Sequence, residues 1–217
     1  MIKWSNHLLG FLLTVDILFI LGHVFIVTYL WLGPSSLLLD AGSSGYPEGF
    51  QYLKYLGLVV IIAYLVAYEK RFTYLPLFVL FAFLLVEDVY QLHTRAGFAL
   101  VNQLNPLTYS GAKPEVVGQL TYVFIMAVFF IGLFAWSYSW SKKNNRKSLM
   151  KIFIFLGAFF FFGVGVDLLH TFLGEEHRFA PVLTLIEEGG EMLTLSVLVW
   201  YFCAEAASLK KVNRNYR

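Results

Sequence analysis

The sequence predicts an all-α membrane protein, a polytopic bundle of about six transmembrane helices that forms a single domain over residues 1–217. Hydrophobic residues make up 59% of the chain, and the mean hydropathy is +0.68. Charged residues make up only 14%, whereas soluble domains carry about 25%. Apolar runs of about 20 residues, the length that a helix needs to cross a bilayer, recur along the chain. No long polar segment is present from which a separate soluble domain could be built.

Six apolar runs are predicted to span the membrane. In chain order they are Leu8–Leu32, Tyr52–Tyr68, Phe72–His93, Gly118–Trp140, Ile152–Phe172 and Pro181–Cys203. The first run is longer than the apolar core of a signal peptide, which has roughly 7–15 residues, so we expect it to be retained as a helix. The single cysteine, Cys203, excludes an internal disulfide framework.

The distribution of basic residues predicts that both termini face the cytoplasm. With the N-terminus inside, twelve Lys and Arg residues fall on the inner side of the predicted spans. The outer side holds four, namely Lys54, Arg95, Lys113 and Arg178. Basic residues are enriched in cytoplasmic loops, so this bias fixes the orientation. We expect a multi-pass protein of a bacterial inner membrane, with its outer side toward the periplasm.

Acidic and histidine side chains converge on the outer end of the predicted bundle. They are Glu87, Asp88 and His93 at the end of span three, Asp167 and His170 at the end of span five, Glu187, Glu188 and Glu191 at the start of span six, and His23 in the outer half of span one. At about 1.5 Å of rise per residue, most are expected roughly 5–15 Å beneath the outer surface.

Acids at this depth need compensation, because an ionised side chain in hydrocarbon costs roughly 2.5–3.5 kcal/mol or more. Spans three, five and six contain no Lys or Arg that would neutralise these acids. The nearest basic residues, Lys54, Arg95 and Arg178, are predicted at the outer edge. We therefore expect the acids to face the bundle interior, where protons, water or metal cations satisfy them.

The helical spacing of these residues favours a metal site. Asp167 and His170 are three residues apart, and Glu188 and Glu191 are also three apart, so each pair shares one helix face. Di-iron bundles use a Glu together with Glu-x-x-His pairs from facing helices. The predicted metal ligands are Glu87, Asp167, His170, Glu188 and Glu191. Groups expected to position these ligands or to handle protons are His23, Asp88, His93, Glu187 and Asp16.

Plainer interpretations remain open at this stage. The three glutamates also suit the N-terminal turns of a helix that starts at the membrane interface, where carboxylates are favoured. Asp167 and His170 also suit a hydrogen-bonded pair that holds two helices together. On a regular helix His93 points about 240° away from Glu87, which favours a helix-end role for this histidine. Tyr52, Tyr55 and Tyr122 are read as residues of the aromatic interface belt.

Three stretches carry a resemblance to a known type of protein. "LLVEDVYQLHTRAG", "VDLLHTF" and "LIEEGGEML" resemble motifs of uncharacterised bacterial multi-pass membrane proteins, which have an acid-acid-x4-His helix end and a later Glu-Glu-x-x-Glu. No activity is implied by this resemblance. The chain is also similar to membrane di-iron oxidases, although it lacks their two Glu-x-x-His pairs and long interfacial helices.

The leading functional hypothesis is a membrane metalloenzyme that acts on a lipid-like or other apolar substrate. Carboxylate-rich ligation favours iron or manganese, with zinc as a further candidate. A di-iron site would make the protein an oxidoreductase, and zinc would make it a hydrolase. The alternatives are an ion- or proton-coupled transporter, a haem or quinone redox subunit and an assembly subunit with a protein partner. Membrane lipids are expected partners, and nucleic acid is not.

Overall fold

The computed structural model describes residues 2–30, 45–68, 71–104, 114–141, 143–169 and 180–215. Within these ranges the chain is helical and contains no strand. Six of its helical segments are long and apolar enough to cross a membrane. The predicted multi-pass helical bundle is therefore confirmed.

Seven α-helices organise the described residues. They are α1 (Ile2–Phe25), α2 (Tyr46–Ala67), α3 (Leu75–Tyr90), α4 (Leu92–Leu104), α5 (Pro114–Trp140), α6 (Lys143–Phe160) and α7 (Ala180–Asn215). A π-helix at Ile26–Leu30 extends α1, a 3₁₀ turn at Phe72–Tyr74 precedes α3, and a π-helix at Phe161–Val166 extends α6. The six candidate spans are Trp4–Tyr29, Tyr46–Ala67, Phe72–Tyr90, Val116–Trp140, Ser148–Leu169 and Pro181–Leu209.

The second span begins at Tyr46, six residues before the predicted start at Tyr52. Pro47 occupies the first turn of α2, where a missing N–H costs nothing. Glu48 lies in the same turn and complements the positive end of the helix dipole. Lys54 is therefore in the third turn of a transmembrane helix and does not belong to the outer flank. The number of basic residues predicted for the outer side therefore falls from four to three.

The third span ends at Tyr90, three residues before the predicted end at His93. Gln91 adopts the left-handed conformation, with φ 47° and ψ 52°, and α4 starts immediately after it. It is the one non-glycine residue with positive φ in the described ranges. Because a left-handed residue ends an α-helix, His93 no longer points where a continuous helix would place it.

Helices α2 and α7 form the centre of the bundle. Helix α7 packs on α1, α2 and α6, and α2 packs on both α3 and α7. The fully buried residues include Leu58, Ile62, Leu65, Leu77, Leu80, Phe81, Leu195, Leu198 and Phe202. Tyr74 meets Phe202 edge-on at a centroid distance of 6.0 Å. This packing holds the rotational positions of α2, α3 and α7, which carry most of the polar residues discussed below.

Helix α4 lies closely against α5. Gly97 and Gly118 meet at this contact, and a Cβ atom on Gly118 would overlap the carbonyl oxygen of Gly97. Small residues permit such close approach of two helix backbones. The chain therefore folds back against the bundle directly after the break at Gln91.

Candidate functional site

A cavity of about 940 Å³ lies between α2, α3, α5, α6 and α7. Its polar part, which we call the acidic compartment, is lined by Glu48, Gln51, Tyr52, Glu87, Asp88, Gln91, His93, Gln119, Tyr122, Asp167, Glu187, Glu188 and Glu191. Its apolar part, which we call the apolar chamber, is lined by Leu80, Phe83, Leu84, Met126, Ala127, Phe130, Ile131, Phe134, Phe153, Leu156, Phe159 and Phe160. The cavity therefore joins two chemically different regions.

The acidic compartment forms because polar residues lie at the same end of every helix that lines the cavity. Spans three and five finish at this end, and spans two, four and six begin there. The compartment brings together seven carboxylates, and none of the described residues that line the cavity is Lys or Arg. Ionised carboxylates in such a place require a cation or protons, since an isolated buried charge is very costly.

Glu191 lies at the centre of these acids. Its carboxylate interacts electrostatically with Asp88, Glu187, Glu87 and Asp167, which come from three helical segments. The same carboxylate lies against Gly163 in the π-helix that follows α6, and a Cβ atom on Gly163 would overlap Glu191 Oε1. Short π-helical segments occur frequently at functional sites. The glycine therefore makes the space into which the Glu191 carboxylate projects.

The ring of Phe162 lies against the neighbouring glycine of α7. A Cβ atom on Gly190 would overlap this ring, and a Cβ atom on Gly189 would lie 3.3 Å from Ile20 Cδ1 of α1, which is a tight contact. The Gly-Gly pair beside the glutamates thus lets α7 approach α1 and the π-helix closely.

Glu87 and His93 form a polar pair across the break at Gln91. Glu87 Oε1 lies 2.5 Å from His93 Nδ1 and accepts a hydrogen bond from the backbone N–H of His93 at 3.2 Å. The hydrogen bond to Glu87 raises the pKa of His93, burial opposes this, and the charges of Glu87, Asp167 and Asp88 add to the increase. Glu87 therefore caps the first turn of α4, a contact that a continuous helix would not allow.

Helix α2 adds a polar face to the same compartment. Gln51 is only 4% exposed, and its Oε1 atom has no hydrogen-bond partner. Tyr52 interacts electrostatically with Asp88, Glu48 and Glu188. This face therefore offers an unsatisfied acceptor beside three carboxylates.

Tyr52, Tyr55 and Tyr122, which were read from sequence as interface-belt residues, all line the cavity. Tyr55 is 4% exposed, and its ring meets Phe159 edge-on at 6.3 Å. The early start of α2 explains the change for Tyr52 and Tyr55, because it moves both residues from the helix end into the second and third turns.

A second polar cluster lies next to the cavity, in the interior formed by α1, α2 and α7. Lys54 Nζ contacts Asp16 Oδ1 at 2.9 Å and donates a hydrogen bond to the Met192 carbonyl oxygen at 2.9 Å. It also lies 3.4 Å from Ser196 Oγ, and that hydroxyl donates to Asp16 Oδ2 at 2.6 Å. The Nζ atom is 5.0 Å from the ring centroid of Phe50. Lys54 thus compensates Asp16 directly, and its charge also interacts electrostatically with Glu191.

A comparison with protein families identifies a family for this chain. A family model described as "Domain of unknown function (DUF8692)" matches residues 51–205, which is well over half of the chain. The chain belongs to the DUF8692 family. Comparisons with curated proteins and with solved structures give no match.

In this DUF8692 member, most of the residues predicted from sequence line one cavity. They are Glu87, Asp88, His93, Asp167, Glu187, Glu188 and Glu191. Asp16 and His23 are buried but are not among the described residues that line the cavity. His170 lies outside the described residues. Within the described part of the chain, no three His, Cys, Asp or Glu side chains are close enough to form a ready metal site.

Three residues of α2 were not predicted as part of a site in this DUF8692 member, namely Glu48, Gln51 and Lys54. Glu48 and Gln51 line the cavity, and Lys54 is buried beside it. Pro47 followed by Glu48 is a helix-start signal that would have extended the span outward. With that start, positions 48, 51, 52 and 55 fall on one face of α2, and this face would have been predicted to line a polar site.

Proposed function

We propose that this DUF8692 member is an integral membrane metalloenzyme that acts on a lipid-like substrate. A cation, with iron or manganese preferred and zinc a further candidate, occupies the acidic compartment. The substrate occupies the apolar chamber. The observation that carries the proposal is the single cavity in which seven carboxylates adjoin a chamber rich in phenylalanine.

Charge balance supports a bound cation. Seven carboxylates surround one space, and the described lining contains no Lys or Arg. The basic residue nearest in the core, Lys54, already bonds Asp16, Met192 O and Ser196. Carboxylate oxygens are ligands that iron and manganese accept readily. A bound metal would therefore neutralise acids that otherwise repel one another.

The proposed ligands come from three helical segments. Glu87 of α3, Asp167 beyond the π-helix and Glu191 of α7 lie at the centre of the compartment. Glu188 and His170 complete the set expected from sequence. Convergence on a metal requires these side chains to move together, since the described residues do not form a ready metal site without it. The pairing of Glu87 with His93 orients the carboxylate, as partners behind metal ligands commonly do.

The reaction class follows from the metal. Iron or manganese would supply redox or oxygen chemistry, and zinc would supply an activated water for hydrolysis. The apolar chamber would hold the alkyl part of the substrate and exclude bulk water. The proposed location is a bacterial inner membrane, with the acidic compartment toward the periplasm, as the excess of basic residues on the opposite side favours.

Ion- or proton-coupled transport is the second candidate function. It is favoured by the position of the Asp16–Lys54 pair. Lys54 donates a hydrogen bond to the carbonyl oxygen of Met192, the residue that follows Glu191 on α7, so the pair lies next to the acidic compartment. Buried ionisable pairs inside membrane bundles often belong to proton relays. Absence of proton uptake into proteoliposomes that contain the wild-type protein would exclude this function. Uptake that survives Asp16→Asn would exclude a role for the Asp16–Lys54 pair in transport.

Metal content tests the enzyme proposal. We expect protein purified without chelator to contain stoichiometric iron or manganese by mass spectrometry. Glu191→Gln keeps the shape of the side chain, and we expect it to lose most of the metal. Glu205→Gln is the matched control on the same helix, because Glu205 contacts Arg71 and lies outside the cavity. Metal-free wild type, or equal metal in both variants, would contradict the proposal.

A further inference from the structure

We infer that the substrate is an amphiphile with a primary ammonium head, a long-chain amine. This inference rests on the proposed function in one respect, namely that the cavity is the substrate site. It adds the chemistry of the head group, which carboxylates and metals alone do not specify. It is carried by the lining charge, by Gln51 and by the shape of the cavity.

The lining charge selects against anionic head groups. Glu48, Asp88 and Glu188 all act electrostatically on Tyr52, so three carboxylates lie close to the α2 side of the compartment. The acids around Glu191 lie toward α3 and the π-helix. Asp88 also acts on Glu191, so the negative charge is continuous across the compartment and favours a positively charged head group. A phosphate or carboxylate head would be repelled there, since like charges placed together cost energy.

Gln51 supplies a second, independent indication. Its side chain lines the cavity, is 4% exposed, and has an Oε1 acceptor without a partner. A buried acceptor that lacks a donor costs about 1–3 kcal/mol, so a ligand that donates to it is stabilised. An alkylammonium group carries three N–H donors and no acceptor. It would therefore satisfy Gln51 and the neighbouring carboxylates together.

The apolar chamber is long enough to hold an alkyl chain. It continues from the acidic compartment along α5, from Tyr122 to Phe134. These residues are twelve positions apart, which corresponds to about 18 Å of helix and to a chain of about a dozen carbons. The total cavity of about 940 Å³ is at the upper end of ordinary small-molecule sites, which span roughly 300–1,000 Å³. The cavity as a whole therefore has room for an alkyl chain of this length and its head group.

Binding of three twelve-carbon probes tests the inference. Dodecylamine, dodecanol and dodecanoate are titrated against metal-free protein in phosphatidylcholine nanodiscs, with empty nanodiscs subtracted, and binding is followed by thermal unfolding and native mass spectrometry. We expect dodecylamine to bind at least tenfold more tightly than dodecanol, and dodecanoate to bind least. Equal binding of amine and alcohol, or tighter binding of dodecanoate, would overturn the inference.

Variants separate the head-group site from the chamber. Gln51→Leu and Glu48→Gln should each weaken the binding of dodecylamine at least several-fold and leave the binding of dodecanol nearly unchanged. Glu205→Gln, outside the cavity, is the control and should change neither affinity. Gly157 lines the cavity, and a Cβ atom there meets nothing within 4 Å. A phenylalanine side chain at this position would fill part of the chamber, so Gly157→Phe should weaken the binding of both dodecylamine and dodecanol. Gly10→Phe on α1, outside the cavity, is the control and should leave both affinities unchanged. Unchanged amine affinity in both head-group variants would refute the assignment.

The outcome is separable from that of the metal test. Stoichiometric metal without selective amine binding would retain the proposed enzyme and reject the amine substrate. Selective amine binding to protein that never contains metal would retain the amine site and reject the metalloenzyme.

Discussion

Lys54 and Asp16 form an ion pair in the interior of the bundle, with Nζ and Oδ1 2.9 Å apart and side-chain exposures of 2% and 0%. The pair joins α2 to α1, and the Ser196 hydroxyl and the Met192 carbonyl connect both residues to α7. Each charge is therefore both paired and hydrogen-bonded, which is the condition for tolerating ions away from water. Three helices that are distant in sequence meet at this point.

Removal of one member of this pair should strongly destabilise the protein. We expect Lys54→Met to lower the free energy of unfolding by about 3–5 kcal/mol, because Asp16 then remains as an uncompensated buried charge. The measurement is denaturant or thermal unfolding in nanodiscs.

The double variant Asp16→Asn with Lys54→Met is the matched control. We expect it to recover much of the loss, since neither charge remains unpaired. If the loss of stability in the double variant equals the sum of the losses in Asp16→Asn and Lys54→Met, the two residues are not energetically coupled as described.

Gly163→Ala should displace the Glu191 carboxylate, because the added Cβ would occupy the position of Oε1. We expect a several-fold loss of bound metal in this variant. Gly165→Ala is the control from the same π-helix, where the nearest atom is Phe161 Cδ2 at 3.6 Å, an ordinary contact. Equal metal content in the two variants would argue that Glu191 does not hold the cation from this position.

The Glu87–His93 contact should make the start of α4 sensitive to pH. The hydrogen bond to Glu87 raises the pKa of His93 above its ordinary value of 6.5, and the nearby Asp88 and Asp167 act in the same direction. The stabilisation is therefore fully present below about pH 6.5 and is lost as the pH rises through the raised folded-state pKa.

Hydrogen exchange of metal-free protein measures this effect. After correction for intrinsic rates, we expect amide protection at the start of α4 to fall in wild type as the pH rises above about 6.5. Glu87→Gln removes the charge that binds the imidazolium, so its protection should respond much less. A flat profile in wild type would exclude the contact as the source of stability for this turn.

The close contact of Gly97 and Gly118 should control the position of α4. We expect Gly118→Ala to separate α4 from α5, because its Cβ would overlap the Gly97 carbonyl. Faster hydrogen exchange across α4 is the expected result. Gly132→Ala on the same helix α5 is the control, since a Cβ there meets nothing within 4 Å. If hydrogen exchange in both variants matches that of wild type, the packing of α4 against α5 does not depend on this contact.

Some features of the site followed from local sequence. Glu87, Asp88, Glu187, Glu188 and Glu191 were expected at one level of the bundle, and all of them line one cavity. Their depth depends only on the distance along a helix from its end, which the hydropathy pattern determines. Their chemistry, an excess of acid without nearby base, is likewise visible in the residue types.

Other features depended on small changes of helix geometry. The left-handed Gln91 brings His93 to Glu87, although a regular helix separates their directions. The π-helix at Phe161–Val166 places Gly163 against Glu191. One extra residue per turn rotates every later side chain, and the sequence pattern does not mark where this happens.

By itself, the sequence determined a six-crossing helical protein with acids gathered near one end, because the apolar runs are long enough to span a bilayer and buried charge is costly. Only the tertiary structure decided which groups meet. It paired Lys54 with Asp16, left Gln51 facing the cavity and joined the acidic compartment to the apolar chamber in one cavity. Such contacts depend on how helices distant in sequence rotate and pack against one another, and a pattern along one helix carries no information about its neighbours.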